Sequence, residues 1–116
     1  MLKQLTEISL TGNDRQTITA AAGILKERFP VDKVILYGSK ARGDDHADSD
    51  IDLFIITSRP IQWRERKSIV AALFDLALAT DTIINILTIP LADWTTEAFR
   101  RTAICREILR DGVPAA

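Results

Sequence analysis

Short β-branched runs alternate with amphipathic segments of helix length along this chain, which restricts it to a sheet layered with helices. From Asp14 to Phe29, apolar residues recur at Ile18, Ala22, Leu25 and Phe29. That spacing predicts a helix with one buried face, capped by Asn13 or Asp14 and ended before Pro30. In VDKVILYGS the apolar run from Val34 to Tyr37 predicts a strand buried on both faces and stopped by Gly38. DIDLFIIT, residues 50–57, predicts a second strand. Between Arg59-Pro60 and Thr80, Ile69, Leu73, Leu76 and Ala77 return to helical spacing. TIINILTI, residues 82–89, predicts a third strand closed by Pro90. The remainder, through Phe99, Ala103 and Ile108, predicts one amphipathic helix ended by Gly112. The expected fold class is therefore α/β or α+β, a small sheet with helices packed on it.

With 116 residues, 47% of them hydrophobic, the chain can build one continuous core and leaves little for a second, so residues 1–116 are expected to form a single domain. No internal repeat or low-complexity linker divides it. A net charge of -1 supplies no overall positive field, so no direct binding of nucleic acid or an anionic membrane is expected. Cys105 is the only cysteine, which excludes an internal disulfide and a multi-thiolate metal site within one chain. The amino-terminal MLKQLTEISL lacks the apolar core of a signal peptide, and VAALFDLALA is too short and too charged to span a bilayer. These features predict a soluble protein of the cytoplasm.

Chemistry is concentrated in YGSKARGDDHADSDIDLFIIT, residues 37–57. Gly38 ends a strand without a side chain to obstruct a bulky ligand, and Ser39 adds a hydroxyl. A short helix beginning at Lys40 would aim free amide groups at the same place, a site for an anion, with Lys40 or Arg42 supplying positive charge. Asp50 and Asp52 lie two apart on a strand, so both carboxylates share one face while Ile51 and Leu53 take the other. Two aspartates side by side repel and call for a counter-charge. Mg²⁺ supplies it with oxygen ligands from one or two carboxylates and from substrate phosphates. The anion cradle and the cation site are thus complementary.

Gly38-Ser39, ten intervening residues, then Asp50-x-Asp52 resembles the signature of the nucleotidyltransferase superfamily that includes DNA polymerase β. The fuller GSKARG and SDIDL resemble the small stand-alone group called minimal nucleotidyltransferases. The likeness continues more weakly through the third strand to FRRTAICREILRDGV. It implies a small mixed sheet flanked by helices, and transfer of a nucleoside monophosphate from a triphosphate, with ATP the expected donor, to an acceptor hydroxyl or phosphate. Carried over by position, Gly38 and Ser39 would hold the triphosphate, with Lys40 and Arg42 beside them. Asp50 and Asp52 would ligate magnesium in the usual logic of phosphoryl chemistry. Proteins of this kind resemble the antitoxin half of two-gene modules whose other half is an all-helical HEPN toxin, which makes such a toxin the expected partner.

Active relatives in the resembled family add a third carboxylate on the next strand, where this chain has Ile84-Asn85-Ile86. Asparagine offers a carbonyl oxygen but cannot act as a general base near neutral pH. Asp81 lies four residues earlier, about 13 Å along an extended strand, so Asn85 is read as the occupant of the third position. Slow transfer or pure nucleotide binding is the expected consequence. The alternatives are a non-catalytic module that neutralises its partner by contact, and a small-molecule transferase of the aminoglycoside-modifying type.

Other notable residues read as ordinary structure. Asp44, Asp45 and Asp48 are expected as solvated loop charges, with Asp48 the one able to approach a cation. His46, the only histidine, has no second imidazole with which to hold zinc. Arg64-Glu65-Arg66-Lys67 predicts the wet face of a helix, as do Arg100, Arg101, Arg106 and Arg110. Trp63 and Trp94 are expected to pack on their own core, and Cys105 to act as a small core residue.

Overall fold

A computed structural model describes residues 3–44 and 49–116. After a single 3₁₀ turn at Leu5–Glu7, the elements run α1 (Gly12–Arg28), β1 (Val31–Tyr37), α2 (Ser39–Arg42), β2 (Ile51–Thr57), α3 (Trp63–Thr80) and β3 (Ile84–Pro90). They continue as α4 (Leu91–Trp94), α5 (Glu97–Arg100), α6 (Ala103–Asp111) and β4 (Val113–Pro114). The sheet order is β3-β2-β1-β4. β1 pairs antiparallel with β2 and β4, whereas β2 and β3 are parallel, joined through the crossover helix α3. This is the small mixed sheet flanked by helices that the sequence led one to expect.

Both faces are covered, which explains why β2 is apolar without alternation. On one face, Ile18, Leu25, Ile69 and Leu73 of α1 and α3 pack on Leu36, Leu53 and Ile55. On the other, Ile108 joins Ile35, Phe54 and Ile56, with Trp94 and Phe99 against them. Phe54 stacks on Phe99 with ring centroids 6.1 Å apart, and Trp94 closes the group. Cys105 is buried in α6, as expected of a small core residue. Among the described residues, no helix is long and apolar enough to cross a membrane.

Local chemistry moved several boundaries. α1 is capped by Thr11, whose hydroxyl accepts from the Asp14 amide, rather than by Asn13 or Asp14. Asn13 instead donates to the Thr80 carbonyl at the end of α3. β1 starts at Val31, because Asp32 and Lys33 only interrupt the apolar pattern, at an irregularity in register with β2. The single terminal helix is three, since Thr96 and Thr102 each accept from the amide three residues on and restart the helix. Trp63 is 68% exposed, contrary to the expected core packing, and carries Arg64 and Lys67 over its ring.

Candidate functional site

The sheet gathers the carboxylates by register. Asp52 sits opposite Asn85 in the parallel ladder and opposite Tyr37 in the antiparallel one. Asp50 lies just ahead of β2. The Asn85 Nδ2 group donates to Asp50 Oδ2 at 2.7 Å and to Asp52 Oδ1 at 3.3 Å, so three side chains converge on one point. Among the described residues, no lysine or arginine forms an ion pair with Asp50 or Asp52. Two hard carboxylates without a protein cation, beside an amide that can turn its oxygen inward, are a donor set suited to Mg²⁺. Asp81 ends α3 in a left-handed conformation and makes no hydrogen bond to the pair.

Gly38 completes the site through its backbone. Its φ of 77° and ψ of -157° fall in a region that only glycine adopts readily. A Cβ there would overlap the Asp52 carboxylate. The absent side chain therefore lets the turn between β1 and α2 press against Asp52. Gly38→Ala is expected to cost about 1–3 kcal/mol from the backbone conformation, with the overlap adding to it. A shift in the urea unfolding midpoint would measure this, and unchanged stability would contradict the close approach. Ser39 opens α2, so a short helix stands where one was expected.

The two basic residues of α2 have different surroundings. Lys40 is only 1% exposed, and its ammonium donates to Asp14 Oδ2 of α1 at 2.8 Å. That bond fastens α2 to α1. Arg42 stays at the surface but is engaged, donating to Asp44 at 3.2 Å and to Glu107 of α6 at 3.0 Å. Asp44 is exposed as expected, whereas Asp45, His46 and Asp48 lie outside the described residues. Arg64, Arg66 and Lys67 of α3, and Arg100, Arg101, Arg106 and Arg110, are exposed as expected.

Electrostatics tie Tyr37 and Glu107 to the same place. Burial chiefly pushes the Asp52 carboxyl above its ordinary value; the Asn85 hydrogen bond opposes this, while Asp50 and Glu107 add to it. Burial, then the charges of Asp52 and Glu107, push the Tyr37 phenol up to about 12, so it stays protonated at neutral pH. Neither residue stood out in the sequence. Tyr37 directly precedes Gly38 and was legible as a neighbour, but Glu107 arrives from α6, 65 positions after Arg42.

A sequence model of the nucleotidyltransferase domain matches residues 18–113. The chain belongs to the nucleotidyltransferase domain family. A Methanocaldococcus jannaschii protein, named for a proposed protein adenylyltransferase activity, is 36% identical over 62 residues. That stretch is 53% of this chain and 61% of the relative, so the chain spans well under the relative's full length. Among solved structures, a chain from a toxin–antitoxin pair with AMP-PNP matches with a TM-score of 0.59 at 17% identity, over 89% of this chain and 73% of that one. A chain from a tri-AMPylated Shewanella oneidensis HEPN toxin in complex with MNT antitoxin matches at 0.56 and 16% identity, over 88% of this chain and 71% of that one. At these identities the likeness is one of fold.

Proposed function

We propose that this nucleotidyltransferase transfers AMP from ATP to a hydroxyl of a HEPN-type toxin, acting as its antitoxin. The observation that carries the reading is the convergence of Asp50, Asp52 and Asn85 against the Gly38 backbone. The names of the relatives support the substrate class: one is a proposed protein adenylyltransferase, and the fold neighbours come from toxin–antitoxin complexes, one with AMP-PNP and one with an AMPylated toxin.

In this reading Asp50 and Asp52 hold magnesium, and Gly38-Ser39 backs the triphosphate. Magnesium, when bound, supplies positive charge to the phosphate oxygens during transfer. The acceptor oxygen bonds to the α-phosphorus, the bond to the β-phosphate oxygen breaks, and pyrophosphate leaves. Asn85 stands in the third carboxylate position and steadies both aspartates by hydrogen bonds. It cannot take the acceptor proton, which passes to solvent, and transfer is correspondingly slow. Tyr37 stays a neutral phenol in register with Asp52.

The test is transfer of label from α-labelled ATP, with Mg²⁺, to a co-expressed HEPN-type partner. Labelled partner is the expected result, and an unlabelled partner neutralised equally well would overturn it. That second reading, neutralisation by contact alone, is favoured by the amide at position 85. Asn85→Asp separates the two. A slow enzyme is expected to gain about 10²-fold in transfer rate, the lower range of what a positioned general base contributes. No gain would favour the contact reading.

A further inference from the structure

We propose that the outer edge of β3 and the exposed stripe of α3 form a two-fold interface between two copies of this chain. β3 is an edge of the sheet, and no other strand of the described residues pairs with its outer row of backbone groups. Edge strands are commonly guarded by charge, bulges or proline within the strand. β3, INILTIP, has no charged residue and only a terminal proline.

The second half of the helix beside this edge also presents an apolar face. Val70, Phe74 and Leu78 recur four apart on α3 and form one apolar stripe, whose line continues toward the helix start through Lys67 and Trp63. Phe74 is 60% and Leu78 67% exposed, on a helix whose other face is already buried through Ile69, Leu73 and Ala77. Phe74 and Leu78 share an apolar groove with Ile83, Ile84 and Ile86, so the stripe runs on to the strand edge. An apolar surface continuous from helix to open strand is more than the scattered exposed side chains of an ordinary surface.

Charge selects the occupant. Along α3 the first turns carry Arg64, Arg66 and Lys67, and the later turns carry Asp75. Arg64, Lys67 and Asp75 make no ion pair with another of the described residues. A two-fold axis lays one α3 antiparallel to the other and makes the same patch meet itself. Arg64 and Asp75 lie on one flank of the stripe, eleven residues apart, so each Arg64 then meets Asp75 of the second copy. In the same register Trp63 falls level with Leu76 of the second copy, between its Phe74 and Leu78. The same axis brings the two β3 edges together antiparallel, which extends the sheet across both copies. A parallel arrangement would instead oppose basic turn to basic turn.

Sedimentation of the full chain at micromolar concentration tests this. The expected result is a dimer that Phe74→Lys dissociates, raising the dissociation constant roughly a hundredfold, the scale of an interface hot spot, while the circular dichroism spectrum stays unchanged. Arg64→Asp or Asp75→Arg alone is expected to weaken it roughly tenfold, and the two together to restore it. A monomer at every concentration, a dimer indifferent to Phe74→Lys, or a charge swap without rescue would each overturn the proposal. So would hydrogen-exchange protection of α3 and β3 that appears only when a different protein is added.

Discussion

Asp50→Asn combined with Asp52→Asn is expected to lower AMP transfer by about a thousandfold or more, given that removing one electrostatic stabiliser commonly costs 10²–10³. Asparagine keeps the size and an acceptor oxygen but removes both negative charges, so the cation and the phosphates lose their anchor. The fold is expected to survive. Because burial holds the Asp52 carboxyl above its ordinary value, the folded chain binds that proton more tightly than the unfolded chain does. Stability carried at this residue therefore rises as pH falls from neutrality through the folded-state value, and is lost as pH rises. Asparagine imitates the protonated form, so the double variant should melt at the same temperature as the parent or higher. Retained transfer in a well-folded double variant would contradict the assignment of the site.

Lys40→Met is expected to destabilise the chain by about 3–5 kcal/mol, the cost of breaking a buried ion pair and leaving one charge uncompensated. Lys40 is 1% and Asp14 8% exposed, so water cannot readily replace the ammonium beside Asp14. The pair spans α1 and α2, and the Gly38-Ser39 turn hangs from the latter. Asp14→Leu together with Lys40→Met removes both charges and is expected to recover most of the loss, since apolar replacement of a whole buried pair is often close to neutral. Urea unfolding of the single and double variants checks both expectations. A single variant as stable as the parent would mean that Lys40 serves a ligand rather than the fold.

Much of this architecture was legible because a few residues leave little freedom. Asp50 and Asp52 alternate with buried Ile51 and Leu53, so strand period alone put both carboxylates on one face. Gly38 ended an apolar run, and the overlap that any Cβ would make with Asp52 explains why a glycine stands there. What stayed hidden depends on distant contacts or on very short elements. That α1 brings Asp14 to within 2.8 Å of Lys40 could not be read from a lysine beside Gly-Ser. β4, Val113–Pro114, pairs with Ile35 and Leu36 but is too short to show a period. Thr96 and Thr102 did carry their signal, a capping residue ahead of each restarted helix, but the apolar spacing of Phe99, Ala103 and Ile108 ran across it.

The central claim is that the turn at Gly38 and the aspartates of β2 serve a single bound nucleotide. Crystals of the chain grown with Mg²⁺ and a non-hydrolysable ATP analogue test it most directly. The account predicts triphosphate lying along Gly38-Ser39, with a cation touching both Asp50 and Asp52. An analogue seated on another surface, or aspartates left without a cation at saturating ligand, would contradict it.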